Sequence, residues 1–77
     1  MTRVLMWEAR GDADGLLGWL REEVRPQLDE GVHLELFRSA DRVVALVRPA
    51  GAGLRLPDPP DELVARPPHA WPFDTVE

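Results

Sequence analysis

The 77-residue sequence predicts a single small α+β domain. Three observations predict this class. Residues 13–30 carry apolar side chains at helical spacing. Residues 32–38 alternate between apolar and polar side chains, as a strand with one buried face does. Residues 4–7 and 43–47 are continuous apolar runs, which are typical of strands buried on both faces at the centre of a sheet.

The first half of the chain predicts a strand followed by a helix. Residues 3–10 form the strand, and the turn at 11–15 offers Asp12 or Asp14 as the helix cap. Pro26 removes one helical hydrogen bond, so we expect a kink or an end near Arg25. The apolar stripe of the helix consists of Leu16, Leu17, Leu20, Val24 and Leu28.

The second half predicts a hairpin, a short helical turn and an edge strand. In residues 32–38, alternation places His33, Glu35 and Phe37 on the more polar face. Residues 39–42 are a connection of hairpin length that leads into a strand at 43–48. Residues 58–63 predict one or two helical turns with Asp58 as the cap. Residues 64–73 are extended, and their prolines confine them to a sheet edge.

The element order β-α-β-β-(short α)-β fits a ferredoxin-like sandwich with the antiparallel strand order 4-1-3-2. That order places the two doubly apolar strands at the centre and the half-polar and proline-bearing strands at the edges, so independent local signals agree. We expect one domain over 1–77, in which 54–77 is a proline-rich C-terminal segment with the short helix and the edge strand.

One full helix covers only one face of such a sheet. The other face would expose Phe37 and apolar side chains of the two central strands. A chain this short also has a thin core, and oligomerisation is a common remedy. The sequence therefore predicts a homodimer that packs sheet face on sheet face.

Composition excludes several classes of function. Nine arginines, no lysine and fourteen carboxylates give a net charge of −5, and the arginines are scattered, which argues against a nucleic-acid partner. The absence of cysteine excludes disulfides and thiolate chemistry. No apolar run reaches the length of a membrane span, so we expect a cytoplasmic protein without a membrane partner. An arginine-only basic set rich in Ala, Gly and Pro is typical of GC-rich bacterial genomes.

Residues 20–48 resemble a known superfamily. They run from Leu-Arg-Glu-Glu-Val-Arg-Pro-Gln-Leu-Asp-Glu-Gly31 into Leu34-Glu-Leu-Phe-Arg-Ser39, then through an Asp-Arg turn into Val43-Val-Ala-Leu-Val-Arg48. This pattern is similar to the dimeric α/β-barrel superfamily and its antibiotic-biosynthesis-monooxygenase-like domains. The resemblance implies a dimeric barrel that holds a small apolar or aromatic molecule. If the protein is catalytic, the resemblance implies a cofactor-independent oxygenase, cyclase or isomerase of specialised metabolism.

The chain departs from that pattern at three points. The third strand ends in Arg48-Pro49-Ala50, where members of the family often have Glu-x-Trp. The second long helix is reduced to a turn or two. There is no Asn, a residue used by some cofactor-free oxygenases of the superfamily, so that role has no counterpart here.

Two groups of residues are candidates for a site. His33 and Glu35 share one strand face, and a carboxylate beside an imidazole suits a general base, so they are the catalytic candidates. The alternative is a histidine hydrogen-bonded in a dimer interface. His69, Trp71, Phe37 and Trp7 are the ligand-binding candidates.

The alternatives for the second group are structural. His69 and Trp71 also suit an edge strand or tail anchored by its aromatics, and Trp7 a core position. The spacing of the histidines predicts no metal site, and we expect no cofactor. Two hypotheses follow: a dimeric barrel that binds a small aromatic molecule, or a non-catalytic assembly module that docks through its open sheet face.

Overall fold

A computed structural model describes residues 2–76. Its four strands are β1 (Arg3–Arg10), β2 (His33–Ser39), β3 (Arg42–Arg48) and β4 (His69–Asp74). The helical segment between β1 and β2 consists of an α-helix, α1 (Ala13–Trp19), a π-helical stretch (Leu20–Val24) and a 3-10 turn (Arg25–Gln27). A second 3-10 turn, Asp61–Leu63, lies between β3 and β4.

The strands form one antiparallel sheet in the order β2-β3-β1-β4. This is the predicted order, counted from the opposite edge, so the α+β class and the strand order are confirmed. The arrangement is compatible with a ferredoxin-like fold. The apolar strands β1 and β3 lie at the centre. Pro72 lies in the edge strand β4, where a strand tolerates the missing N–H most easily.

The helical segment begins at the predicted cap and ends close to Pro26, as predicted. Asp12 is the cap, and its Oδ1 accepts a hydrogen bond of 3.0 Å from the backbone N–H of Gly15. The predicted effect of Pro26 is confirmed, because the helix tightens into a 3-10 turn at this residue. Of the two predicted effects of Pro26, a kink or an end near Arg25, the structure shows the end, and the apolar spacing that continues to residue 30 does not extend the helix. The segment ends at Gln27, and Leu28 has an extended backbone with ψ at 145°.

The core lies between the helical segment and one face of the sheet. Leu16, Leu20 and Val24 of the helical segment and Val43 and Val47 of β3 are fully buried. Each such side chain stabilises the fold by about 1.5–3 kcal/mol relative to an exposed position. This interface is therefore the main source of stability in the described part of the chain.

The segment after the second 3-10 turn is joined to the end of β1. Gly11 forms an isolated bridge with Val64, and the N–H of Ala65 donates to the carbonyl of Arg10 at 2.9 Å. Gly11 has a φ of +148°, and a Cβ at this position would lie 2.1 Å from the carbonyl oxygen of Leu63. Glycine is therefore required for residues 63–65 to lie against β1.

Asp58 is not the cap of the short helical turn, so that prediction is wrong. The turn spans only Asp61–Leu63, Pro60 precedes it, and no side chain caps it. A residue before proline is disfavoured in the helical region, so two consecutive prolines keep the chain extended until Pro60.

Candidate functional site

The face of the sheet opposite the helix is called the open face here, because no helix of residues 2–76 packs on it. Strand alternation and the register of the four strands define its side chains. They are Val4, Met6, Glu8 and Arg10 of β1, His33, Glu35, Phe37 and Ser39 of β2, Arg42, Val44, Leu46 and Arg48 of β3, and His69, Trp71 and Phe73 of β4.

The open face is apolar at its centre and carries aromatic side chains on both edge strands. Met6 and Leu46 are opposite each other on the central strands and are half-buried. Phe37 on β2 is 48% exposed, and Trp71 and Phe73 on β4 are 43% and 51% exposed. The expectation that this face exposes Phe37 is confirmed. A contiguous apolar patch of this kind is typical of a surface that binds something.

Two of the predicted ligand-binding residues stack on each other. His69 and Trp71 lie on the same face of β4, with ring centroids 5.8 Å apart and planes at 12°. Trp71 is opposite Met6, and His69 is opposite Glu8. The stack therefore provides a flat aromatic edge beside the apolar centre of the open face.

A carboxylate shared by two arginines lies next to that stack. The Glu8 side chain is 16% exposed, and its two oxygens are 3.7 Å from Arg42 Nε and from an Arg66 terminal nitrogen. At this distance the contacts are ion pairs without hydrogen bonds, and Glu8 Oε1 is buried with no hydrogen-bond partner among the described residues. Arg10 lies one position further along this face and is opposite Arg42.

The catalytic candidates lie together at the β2 edge. Glu35 accepts a hydrogen bond of 3.1 Å from an Arg48 terminal nitrogen, and both side chains are about half exposed. His33 is exposed and is opposite Arg48. His33 and Glu35 on β2 are separated from His69 and Trp71 on β4 by the two central strands, so the catalytic candidates and the stacked pair lie at opposite edges of one face.

Trp7 is the predicted site residue that does not join the others. It is 3% exposed and belongs to the core, on the helix-covered face, where its ring lies 5.9 Å from that of Trp19. Two depressions of about 370 and 390 Å³ lie along the C-terminal segment. Both are lined by Pro68, and neither is lined by any of the predicted site residues.

The sequence did not identify the arginines around Glu8 as a group. A signal was present for two of them, because Arg10 shares the strand parity of Glu8 and faces Arg42 across the sheet. Arg66 carried no such signal. Its position depends on the contact between Gly11 and Val64, which residue patterns do not encode.

No family model matches the chain, and no curated protein or solved structure matches it either. Within residues 2–76, no helix is long and apolar enough to cross a membrane. Those residues also contain no group of three or more histidine, aspartate or glutamate side chains placed to hold a metal ion.

Proposed function

We propose that the protein is a small binding module in which two copies pack open face on open face and hold a small aromatic molecule between their sheets. The stacked, exposed pair of His69 and Trp71 at the edge of an uncovered apolar face carries this proposal. A second sheet would remove the apolar side chains from water and enclose the ligand on both sides.

We infer that a second copy of this chain covers the open face, because one ion pair at its edge suits a two-fold contact, while the net positive charge of the face opposes it. Glu35 and Arg48 lie side by side and half-exposed at one edge. In an isologous contact, each copy presents the same pair, so Glu35 of one copy can meet Arg48 of the other. This arrangement is also the dimeric α/β barrel that the resemblance of residues 20–48 implies, and membership of the antibiotic-biosynthesis-monooxygenase-like domains is part of the same proposal.

We propose binding and leave catalysis as a prediction. Glu35 is engaged by Arg48, and His33 is exposed at the edge away from the stacked pair. The oxygenase, cyclase or isomerase activity implied by the resemblance therefore has its two candidate residues on the open face, at a distance from the aromatic pair.

A second candidate function is an assembly module without a ligand. The observation that favours it is the position of the depressions, since the two of about 370 and 390 Å³ are not lined by His33 or His69. In this case the open face is simply an interface, and its aromatic side chains are buried by protein alone.

Light scattering on a sizing column, across a dilution series, tests the dimer. The expected mass is about twice the 8.7 kDa of one chain, and it falls towards one chain on dilution. Leu46→Asp places a charge at the centre of the open face and is expected to give a monomer that keeps its circular dichroism spectrum. Val76→Asp is the matched control, because Val76 is 84% exposed and lies outside the sheet. A monomer at every concentration contradicts the proposal.

Amide shifts in two-dimensional NMR test the ligand, with 2-naphthamide as a neutral aromatic probe. We expect the largest shifts at Met6, His69 and the Trp71 indole N–H, and about tenfold weaker binding for Trp71→Ala. Shifts confined to the depressions of the C-terminal segment contradict a ligand on the open face. A dimer that binds no aromatic probe favours the assembly module.

A further inference from the structure

We propose that Arg10, Arg42 and Arg66 form an oxyanion site, and that the ligand of the open face is an aromatic carboxylate. This inference rests on the proposed function, because it specifies the charge of the aromatic molecule that the open face would bind.

The first observation is an excess of positive charge around Glu8. Three other arginines in ion pairs each have their own carboxylate: Arg3 with Asp74, Arg38 with Asp14, and Arg48 with Glu35. At Glu8, Arg42 and Arg66 share one carboxylate, and Arg10 lies directly opposite Arg42. Two guanidinium groups against one carboxylate leave an excess of one positive charge, and Arg10 adds a third arginine to this end of the open face.

The second observation is an unsatisfied donor. Arg10 Nε is buried and has no hydrogen-bond partner among the described residues. A buried guanidinium donor without an acceptor destabilises the fold, because it has given up water without gaining a hydrogen bond. Arginines directly opposite each other on neighbouring strands also repel. A bound oxyanion relieves both, because it accepts hydrogen bonds from Arg10 and neutralises the excess charge.

The backbone holds the three arginines in place. Arg10 and Arg42 are fixed by the register of β1 and β3. Arg66 follows Ala65, whose N–H donates to the carbonyl of Arg10, so the third guanidinium is brought to the same end of the open face. Sites that bind planar oxyanions commonly use such preorganised arginine side chains.

The residues beside the three arginines indicate that the ligand also contains an aromatic ring. Glu8, which joins two of the arginines, is opposite His69, and His69 stacks on Trp71. A carboxylate at the arginines therefore places an attached ring over the apolar side chains between Val44 and Trp71. Inorganic phosphate has the same oxyanion chemistry without a ring, so the two sources are separable by experiment.

The test compares three probes on the full chain by NMR titration: 2-naphthoate, its neutral analogue 2-naphthamide, and inorganic phosphate. We expect 2-naphthoate to bind at least tenfold more tightly than 2-naphthamide, with shifts at the Nε–H of Arg10. Equal affinities for the two aromatic probes overturn the oxyanion site. If phosphate binds as tightly as 2-naphthoate, the aromatic ring contributes nothing, and the assignment of the ligand as an aromatic carboxylate is wrong.

Substitutions that remove the charge of one arginine show which side chains bind the carboxylate. Arg10→Gln and Arg66→Gln are each expected to weaken the binding of 2-naphthoate about tenfold. Neither substitution is expected to change the affinity for 2-naphthamide. Arg66→Gln is the safer variant for folding, because the Arg66 side chain is half exposed. Arg21→Gln on the helical segment is the control with the same change in net charge. An equal loss in Arg21→Gln shows non-specific attraction and contradicts the site.

Glu8→Gln distinguishes a ligand site from arginines that merely neutralise Glu8. It removes the carboxylate that competes with the ligand, so we expect several-fold tighter binding of 2-naphthoate. Unchanged or weaker binding in a variant that keeps its amide spectrum contradicts the proposal. Failure of the proposed function has a different signature: a monomer by light scattering and no shift with 2-naphthamide.

Discussion

Gly11 determines where the C-terminal segment meets the sheet. Its positive φ and the close approach of Leu63 leave no room for a side chain. The contacts that follow, the bridge to Val64 and the hydrogen bond from Ala65, bring Arg66 to Glu8. The conformation of Gly11 thus determines whether Arg66 can reach Glu8 on the open face.

Gly11→Ala is expected to destabilise the fold by about 1–3 kcal/mol, because the added Cβ cannot be accommodated without moving residues 63–65. Urea unfolding followed by circular dichroism measures the change. We also expect the amide signals of residues 63–66 to shift most, since these residues must move away from β1.

Gly18→Ala is the matched control for that substitution. Gly18 lies in α1, and nothing lies within 4 Å of an added Cβ. Alanine is expected to stabilise the helix by about 0.5–1 kcal/mol, since glycine loses more conformational freedom on folding. Equal destabilisation by both substitutions would show that the crowding at Leu63 is not the cause.

β3 contributes side chains to both faces of the sheet. Val43 is fully buried against the helical segment, and the next residue, Val44, is half-buried on the open face. The two side chains are identical and point to opposite faces. A comparison of the two positions therefore measures how much each face contributes to the fold of a single chain.

Val43→Ala is expected to cost about 2–3 kcal/mol, because it removes buried methyl groups and leaves a cavity. Val44→Ala is expected to cost less than about 1 kcal/mol in a single chain, because its face is not packed by the helix. Unfolding at the lowest workable concentration gives both values. If Val44→Ala costs more only at high concentration, the open face is buried by self-association.

The order of the strands was predictable because each strand carries a different burial pattern. β1 and β3 are apolar on both faces, β2 is half polar, and β4 contains Pro72, so the sequence itself distinguishes centre from edge. The end of the helix was predictable from Pro26 and not from the apolar stripe. Leu28 fits the apolar stripe, but the missing N–H of Pro26 and the tightened turn end the helix before it.

The candidate site was predictable only where strand parity defines it. His33, Glu35 and Phe37 share the open face as alternation predicts. Parity could not decide which face Trp7 occupies, since β1 is apolar on both. The arginine cluster was beyond such patterns, because Arg66 reaches Glu8 through a tertiary contact at Gly11. Local periodicity therefore predicts which side chains of a strand share a face. It does not predict which distant segments, such as the one that carries Arg66, pack beside that face.

Charge is divided unevenly between the open face and the rest of the molecule. The open face, with Arg66, carries four arginines, Arg10, Arg42, Arg48 and Arg66, against Glu8 and Glu35, a net charge of +2. The whole chain has a net charge of −5, so the rest of the molecule carries −7. Two open faces that approach each other therefore repel, although their apolar centres attract.

This repulsion makes a specific prediction for self-association. At constant ionic strength, 2-naphthoate at a concentration that saturates the arginine site is expected to shift the equilibrium towards the dimer by about tenfold or more, because each bound carboxylate removes a repelling charge from the interface. Light scattering across a dilution series measures the shift. Sodium chloride is expected to favour the dimer as well, because it screens the repulsion between the faces over about 10 Å at 0.1 M. The salt effect rises steadily with concentration, whereas the effect of 2-naphthoate stops rising once the arginine site is full.

Arg66→Gln separates ligand occupancy from screening. It lowers the positive charge of the face by one, so it is expected to strengthen the dimer in the absence of ligand and to weaken the response to 2-naphthoate. The two effects have opposite signs only if Arg66 both repels the second copy and binds the carboxylate. A variant that weakens the dimer under both conditions would show instead that Arg66 is a contact of the interface, and that the second copy supplies the acidic group these arginines bind.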